Sequence, residues 1–375
     1  MKKYPILFLM LITFNSYAQF TISGRIVNKA DKKPIANAVV FLNKTGIANN
    51  SNNNGNFALN NITAGQYLLL ITIVGYERYT LPVTITANMR LPDIELSPKT
   101  DTLAEVAIKG KPKISPYYYT FRNDLLGRTL FARQCKITNP WVVHFSDTDM
   151  QGNYTAKSNG FIEIVNDALG YKLKLLLNFF TKDIKNERTD YDGESYFEEM
   201  KGTPQQEHEW KKNRMECYQG SQMQFLRAVL SGNAKQQGFL IKKAYLKKNP
   251  YYNPMAIYDD PIMDDEYLYD IKDTVLHEQD IVRRTDKHGL FALARDGSNP
   301  NSCLYVEYIG AKTNKKQTRI PWIWGITESY IQFNKPYAVF DYHGVINTHG
   351  NITFTGFLGE ARIANQLPED FEPGQ

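Results

Sequence analysis

Five side chains in one short segment have the chemistry of a binding site: Trp210, Arg214, Tyr218, Ser221 and Arg227. Trp210 and Arg214 are four residues apart, so on a helix they share a face and can stack. Arginine binds anions through two parallel hydrogen bonds, and tryptophan offers a flat ring to a sugar. The alternative, which is favoured, is that these residues form an internal hydrogen-bonded network that fixes the helices to the rest of the fold.

Two predicted helices position these side chains. Thr203-Pro204-Gln205-Gln206 has the pattern of a capping box with proline in the first turn. Ser221-Gln222-Met223-Gln224 has the pattern of a second capping box, and Gly220 lies where the first helix must end. The segment is therefore predicted to be a helical hairpin, in which Ser221 already has a role as a helix cap.

The remaining sequence contains no strong catalytic or metal-binding motif. It has no Gly-x-Ser-x-Gly elbow and no glycine-rich phosphate loop. The acidic cluster between residues 259 and 266 offers oxygen ligands to calcium, but its spacing fits no known calcium loop. His343 and His349 are placed to meet across a hairpin, yet no third metal ligand accompanies them. We therefore predict no catalytic residue, no metal site and no cofactor.

Length and composition exclude several classes of protein. The chain has 375 residues, enough for two or three domains. Its 42% hydrophobic and 22% charged residues exclude a disordered tail and a membrane bundle, and its 24 tyrosines and 20 phenylalanines favour β structure. The net charge of +5 includes two lysines in a segment that we expect to be removed. The remaining charge is too weak to predict nucleic-acid binding.

Residues 1–18 have the pattern of a secretory signal peptide. Two lysines precede the apolar stretch from Ile6 to Phe14, which is too short to span a membrane, and Ser16-Tyr17-Ala18 is a small-x-small cleavage site. We therefore expect an exported protein in the periplasm, on the outer-membrane surface or outside the cell. We expect no transmembrane segment after cleavage.

The three cysteines, Cys135, Cys217 and Cys303, are widely spaced and odd in number. They form no Cys-x-x-Cys pair of the kind that zinc ribbons and redox motifs use. We expect three buried free thiols, in cores large enough to be stable without a disulfide framework.

Residues 19–97 are predicted to form an antiparallel β-sandwich. Phe20 to Val27 alternates with period two, and Tyr67 to Val74 is an almost wholly apolar strand that should be central. Lys32-Lys33-Pro34 and Gly75-Tyr76 mark turns between strands. Short strands separated by such turns are typical of a sandwich.

The same residues resemble a known family. The motifs are Ser23-Gly24-Arg25-Ile26-Val27, Lys33-Pro34-Ile35-Ala36-Asn37-Ala38-Val39-Val40, Asn54-Gly55-Asn56-Phe57, Ala64-Gly65-Gln66-Tyr67 and Val74-Gly75-Tyr76-Glu77. In this order they resemble the carboxypeptidase regulatory-like domain. The resemblance implies a seven-stranded, transthyretin-like sandwich without catalytic activity, at the N-terminus of a secreted or outer-membrane protein of a Bacteroidetes-type bacterium.

The resemblance does not extend to a zinc carboxypeptidase. The enzymes that carry this domain hold zinc with His-x-x-Glu and a later histidine. None of the six histidines of this chain is followed by glutamate at the third position. A zinc carboxypeptidase is therefore rejected.

Residues 98–116 are predicted to be a linker, and residues 117–375 an α+β module with a large antiparallel sheet and the helical hairpin. A sub-boundary near residue 240 stays open. Tyr218-Gln219-Gly220-Ser221 and Leu367-Pro368-Glu369-Asp370-Phe371 are among several motifs that resemble an uncharacterised family of secreted Bacteroidetes proteins with the same N-terminal sandwich. That resemblance implies no known activity.

The sequence thus predicts a mainly β, non-catalytic envelope protein, in which the regulatory-like sandwich presents a binding or interaction module. The expected partner is an envelope protein or a glycan, and not a nucleic acid. The alternative is a hydrolase of glycans or peptides with its site in residues 117–375. A concave pocket with paired carboxylates of perturbed pKa would favour the enzyme.

Overall fold

The computed structural model describes residues 19–99, 114–147, 152–184, 188–252, 266–287, 289–295, 297–310, 327–348, 350–359 and 361–374. The predicted signal peptide, most of the predicted linker, His349 and all but the last residue of the acidic cluster lie outside these ranges. Antiparallel sheets dominate the described ranges, so the protein is mainly β, as predicted.

The N-terminal segment folds into a sandwich of two sheets. Its strands are β1 (Phe20–Asn28), β2 (Val39–Leu42), β3 (Ala48–Asn50), β4 (Asn56–Ile62), β5 (Gly65–Thr72), β6 (Tyr79–Ile85), β7 (Met89–Arg90) and β8 (Ile94–Leu96). One sheet has the order β4-β1-β7 with β8 also paired to β1, and the other has the order β3-β2-β5-β6. The sandwich has eight strands because the short β3 pairs antiparallel with β2.

The core of the sandwich follows the period-two alternation of its strands. Ile22 and Ile26 of β1, and Leu69 and Ile71 of β5, are fully buried. β5 lies between β2 and β6, as expected for the most apolar segment. It ends before Val74, which lies in the following turn and is 97% exposed.

A helix pair and a six-stranded sheet follow. The elements are α1 (Tyr118–Leu126), α2 (Leu130–Arg133), β9 (Cys135–Ile137), β10 (Val143–Asp147), β11 (Tyr154–Ser158), β12 (Ile162–Asn166), β13 (Tyr171–Asp183) and β14 (Arg188–Glu199). The sheet order is β10-β11-β13-β12-β9, and β14 pairs along β13. Gly127, at φ 91°, ends α1 and separates it from α2.

The predicted helical hairpin is formed by α3 (Pro204–Tyr218) and α4 (Gln222–Leu230). Thr203 caps α3 through a complete capping box. Ser221 caps α4 by accepting a hydrogen bond from Gln224 N at 3.1 Å. The side chain of Gln224 does not close a second box, because its Oε1 accepts from Gly220 N instead.

The remaining strands form two further antiparallel sheets. The elements are β15 (Phe239–Lys248), β16 (Tyr267–Val275), α5 (Glu278–Ile281), β17 (Val282–Arg284), β18 (Leu290–Ala294), β19 (Ser302–Tyr308), β20 (Glu328–Phe333), β21 (Tyr337–Asp341) and β22 (Ile352–Gly356). The order is β16-β15-β19-β20-β22 in one sheet and β17-β18-β21 in the other. The strands described after residue 117 are thus divided among three sheets instead of gathered in one.

Separate apolar cores account for this division. One lies between α1, α2 and the six-stranded sheet, and another between α4 and the two C-terminal sheets. A smaller cluster joins the sandwich to the six-stranded sheet. There, Phe41 of β2 packs against Phe161 and Tyr196 with ring centroids 5.9 and 4.9 Å apart. The sandwich is therefore packed directly against the rest of the protein.

All three cysteines are buried free thiols, as expected. Burial raises the pKa of Cys135 to about 12 and that of Cys303 to about 11. These two thiols are therefore protonated and unreactive at neutral pH. In the part of the chain that the structure describes, no helix is long and apolar enough to cross a membrane.

Candidate functional site

Trp210 lies where α3 packs on the turn before β13. It is 6% exposed, and its indole Nε1 donates a hydrogen bond of 2.9 Å to Asp167 O. The ring packs on Gly170 and Gly202, since a Cβ at either glycine would come within 2.6 Å of ring atoms. Trp210 therefore fills a space inside the fold.

Arg214, one turn further along α3, is 9% exposed and stacks on Tyr171, with its Cζ 3.9 Å from the ring centroid. Its Nε donates to Leu169 O at 2.8 Å, and its Nη2 donates to Gly170 O at 3.4 Å. Its Nη1 pairs with Glu199 Oε1 at 2.7 Å, on a carboxylate that is 69% exposed. The guanidinium thus binds the turn before β13 and the end of β14.

Arg227 on α4 binds two distant segments. Its Nε donates to His343 O at 2.8 Å. Its Nη1 and Nη2 donate to Phe371 O at 2.9 Å and Glu369 O at 3.3 Å. Its Cζ lies 5.8 Å from the ring centroid of Tyr218, which is 8% exposed. Arg227 thereby joins α4 to the turn after β21 and to the C-terminal tail (residues 361–374).

The five predicted binding residues therefore fall into separate groups. Trp210 and Arg214 bind the turn before β13, Tyr218 and Arg227 bind the C-terminal tail, and Ser221 caps α4. Both guanidinium groups and the indole donate to backbone carbonyls of the same chain. These contacts are those of an internal network that fixes the helical hairpin.

An open cleft of about 600 Å³ lies elsewhere, between the sandwich and the three-stranded sheet. Its floor is one face of β18 and β21, formed by Leu290, Ala292, Ala294 and Val339. The two alanines leave the space that larger side chains would fill. Gln66 of β5 reaches the cleft from the sandwich. An apolar concave floor of this size with a few polar groups is typical of a small-molecule site.

Aromatic and polar side chains form the rim of the cleft. Tyr337, at the start of β21, is 50% exposed. Thr285, Asn347 and Thr348 place hydroxyl and amide groups around the floor. An amphipathic ring beside hydroxyl and amide groups offers both stacking and hydrogen bonds to a ligand.

A polar network joins the sandwich to the end of β21. Thr63 Oγ1 lies 3.0 Å from His343 Nε2 and 2.9 Å from Tyr67 Oη. His343 Nδ1 lies 3.8 Å from Asp341 Oδ2. The order hydroxyl, imidazole, carboxylate is that of a hydrolase triad. However, 3.8 Å exceeds hydrogen-bond distance, and His343 is 3% exposed.

The sandwich motif Ala64-Gly65-Gln66-Tyr67 forms its side of this network. A Cβ at Gly65 would lie 3.1 Å from Tyr342 Oη and 3.2 Å from His343 Cε1. Glycine thus permits the backbone of the sandwich to approach these two rings closely. Gln66, the next residue, lines the cleft, so the network and the cleft are adjacent.

Two carboxyl groups of the C-terminal tail lie at the same interface. Asp370 Oδ1 accepts a hydrogen bond from Gly46 N at 2.9 Å, and Glu369 N donates to Lys44 O at 2.8 Å. Burial raises the pKa of Asp370 and raises the pKa of Glu369 to about 7. Such perturbed carboxyls occur in acid catalysts. Here they contact the sandwich, and other residues line the cleft.

The raised pKa of Glu369 predicts a pH-dependent stability. Its folded-state pKa of about 7 exceeds the ordinary glutamate value of 4.5. The stabilising contribution of the protonated carboxyl is therefore complete below about pH 4.5 and is lost as the pH rises through about 7. We expect Glu369→Gln to raise the free energy of unfolding at about pH 8 by about 1–3 kcal/mol relative to wild type. At about pH 5 the expected difference is much smaller.

Urea unfolding at the two pH values measures this difference. Glu77→Gln, on the exposed surface of the sandwich, is the matched control and should leave the pH dependence as in wild type. A Glu369→Gln variant that keeps the wild-type loss of stability between the two pH values would contradict the assignment to Glu369.

Sequence patterns predicted neither the cleft nor the Thr63–His343 contact. This contact joins residues 280 positions apart, and periodicity within strands does not show which faces meet. A signal for the cleft is present in β18, where Ala292 and Ala294 alternate with larger apolar residues. It becomes recognisable only when the facing strand is known.

Comparison with known proteins identifies the N-terminal segment. Residues 22–108 match the family model of the CarboxypepD_reg-like domain. No curated protein matches the chain.

Solved structures match parts of the chain. A chain of a type II cohesin–X-dockerin complex from Acetivibrio cellulolyticus is 26% identical, over 20% of this chain and 56% of its own, with a TM-score of 0.19. A 5-hydroxyisourate hydrolase from Klebsiella pneumoniae is 21% identical, over 21% of this chain and 91% of its own, with a TM-score of 0.19. A DUF3823 family protein from Parabacteroides merdae is 13% identical, over 48% of this chain and 80% of its own, with a TM-score of 0.19.

This chain spans little more than half the length of the first of these structures. The family match coincides with the two-sheet sandwich and with the motifs quoted from its strands and turns. The N-terminal sandwich is therefore a carboxypeptidase regulatory-like domain.

Proposed function

We propose that this protein is an exported, non-catalytic binding protein of the bacterial cell envelope, whose ligand is a glycan held in the cleft between the sandwich and the three-stranded sheet. The observation that carries this proposal is the cleft itself, about 600 Å³ in volume with an apolar floor. The signal-peptide pattern of residues 1–18 supports export.

The chemistry of the rim supports a glycan. A half-exposed tyrosine, Tyr337, stands beside the hydroxyl and amide groups of Gln66, Asn347 and Thr348. A sugar ring presents an apolar face to an aromatic side chain and hydroxyl groups to amides. Because Gln66 belongs to the sandwich, a ligand in the cleft contacts both parts of the protein.

We also propose the domain division 19–97, 98–116 and 117–375, with a sub-boundary near residue 240. The packing is consistent with it, since β15 begins at Phe239 and the core around α4 and the C-terminal sheets is separate from that of the six-stranded sheet. In this division the regulatory-like domain is one wall of the binding site, not only a tether.

Binding of the full chain to an array of bacterial and host oligosaccharides tests the proposal. We expect Val339→Trp, which fills the cleft, and Tyr337→Ala, which removes the ring, to weaken retention of the bound glycans at least about tenfold. Tyr251→Ala removes a tyrosine that is 66% exposed away from the cleft and should not change binding. Glycan binding that is equal in all four proteins would contradict the cleft as the site.

The second candidate function is a hydrolase of glycans or peptides. Its supporting observation is that Thr63, His343 and Asp341 lie next to one another in the order hydroxyl, imidazole, carboxylate. The same array distinguishes the two, because a hydrolase releases shortened products and a binding protein returns the glycan intact. Product formation that depends on His343 would favour the hydrolase.

A further inference from the structure

We infer that two copies of this protein associate edge to edge through β16, so that their five-stranded sheets join into one continuous sheet. The partner is a second copy of the same chain, related to the first by a two-fold axis at Tyr269. No residue of β16 lines the cleft. This interaction surface is therefore separate from the proposed binding site and does not depend on the proposed function.

β16 is a long, exposed edge strand. Among the described strands it has one neighbour, β15, so its other side is open. It has nine residues and no proline, and four of its apolar side chains are exposed: Tyr267, Leu268, Ile271 and Val275. Proteins usually protect such edges, because an exposed apolar edge strand promotes pairing with another chain. By contrast, the edge strands β3 and β17 have three residues each, and Pro82 interrupts the edge strand β6.

The backbone of β16 presents a regular row of groups on its open side. Asn249 N donates to Glu266 O at 2.8 Å, so the backbone groups of Glu266 face β15. Because hydrogen bonding alternates along an antiparallel pair, the backbone groups of Tyr267, Tyr269 and Ile271 face away from β15. The register on β15 is regular over this segment and shifts only beyond Ile271. Two such rows, placed antiparallel with Tyr269 opposite Tyr269 of the second copy, complete one another with about six hydrogen bonds.

The same alignment gives complementary side-chain pairs. Tyr267 lies opposite Ile271 of the second copy, which brings together an aromatic and a β-branched side chain that are 47% and 39% exposed in one copy. Lys272, just beyond the regular segment, comes next to Glu266 of the second copy, since both are three residues from Tyr269. A two-fold axis repeats each contact. Aromatic–β-branched pairs and opposite charges both stabilise antiparallel strands.

Charge also disfavours the neighbouring register. With the axis at Asp270, the carboxylates of the two copies would lie opposite each other, and like charges in that position destabilise a strand pair. With the axis at Tyr269, Asp270 lies opposite Leu268 of the second copy. Asp270 then keeps its ion pairs with Lys247 and Lys272 of its own chain. The sequence of β16 is thus self-complementary in the register centred on Tyr269.

The oligomeric state of the full chain tests this inference. Sedimentation velocity of the wild type should show a reversible monomer–dimer equilibrium with a dissociation constant of about 1–100 µM, because a single strand pair is a small interface. Lys272→Glu and Glu266→Lys each place like charges next to each other across the axis. Each should weaken self-association at least about tenfold.

An equimolar mixture of these two variants should associate about as strongly as the wild type, because each altered charge then meets its opposite on the other copy. The two positions are six residues apart on one strand, a separation of about 20 Å, so neither change compensates the other within one chain. Recovery of association in the mixture also shows that both variants are folded.

Glu77→Lys and Lys99→Glu reverse the same charges on the exposed surface of the sandwich and should leave the dissociation constant unchanged. A wild type that stays monomeric up to about 0.5 mM overturns the inference. A dimer that neither reversal in β16 weakens also overturns it, because the contact then lies elsewhere. Two weakened variants that do not recover association when mixed overturn the alignment at Tyr269.

Discussion

Gly170→Ala should destabilise the protein by about 3–5 kcal/mol. Gly170 adopts φ 69°, in the left-handed region that disfavours a side chain. An added Cβ would lie 2.2 Å from Trp210 Cδ2. The indole has no room to move away, because its Nε1 is bound to Asp167 O and Gly202 contacts its far edge.

Gly232→Ala is the matched control for this prediction. Gly232 has the same φ of 69°, but no atom lies within 4 Å of its added Cβ. Gly232→Ala should therefore lower the free energy of unfolding only by the penalty of the left-handed backbone conformation, about 1 kcal/mol. Chemical denaturation followed by circular dichroism measures both variants. If the two substitutions cost the same, Trp210 is not the rigid structural element that the packing indicates.

Arg214→Met should lower the free energy of unfolding by about 2–4 kcal/mol. Methionine keeps part of the apolar stem that packs on Tyr171 but removes every donor. The carbonyl group of Leu169 then loses its side-chain partner in a buried setting, whereas that of Gly170 keeps the hydrogen bond from Met200 N at 2.8 Å. A buried acceptor without a partner is costly because water cannot replace the lost hydrogen bond.

Glu199→Gln separates the ion pair from the carbonyl contacts. The Glu199 side chain is 69% exposed, so its pair with Arg214 is largely screened by solvent and should contribute less than about 0.5 kcal/mol. Thermal unfolding of both variants gives the comparison. A small effect of Arg214→Met together with lost ligand binding would return Arg214 to the role of a binding residue.

These two predictions concern the residues that the sequence singled out for chemistry. Trp210 and Arg214 do share one face of α3, as their spacing indicates. That face is turned toward the turn before β13, where both side chains meet backbone carbonyls. Helical spacing shows which side chains lie together but not what they face. Residue type and spacing therefore identified correctly that Trp210 and Arg214 lie together. Packing decided that their polar atoms bind backbone carbonyl groups of the protein itself.

Local patterns determined much of the fold. The period-two alternation and the turn residues of residues 19–97 indicate a sandwich, and both the strands and the family match agree. The helical hairpin follows from Thr203 and Ser221, because a capping hydroxyl binds a backbone N–H three residues away. The burial of the three cysteines follows from their apolar character and wide spacing. Each of these features depends on neighbours in sequence.

The tertiary structure alone decided where the sandwich, the three-stranded sheet and the C-terminal tail meet. Thr63 and His343, Gly46 and Asp370, and the walls of the cleft come from segments hundreds of residues apart. Their contacts depend on which sheet faces pack together, which in turn depends on how three separate cores fit against one another. The sequence therefore determined the elements and the domain family. Long-range packing determined the cleft, because a cleft is the space left between elements that no single segment encodes.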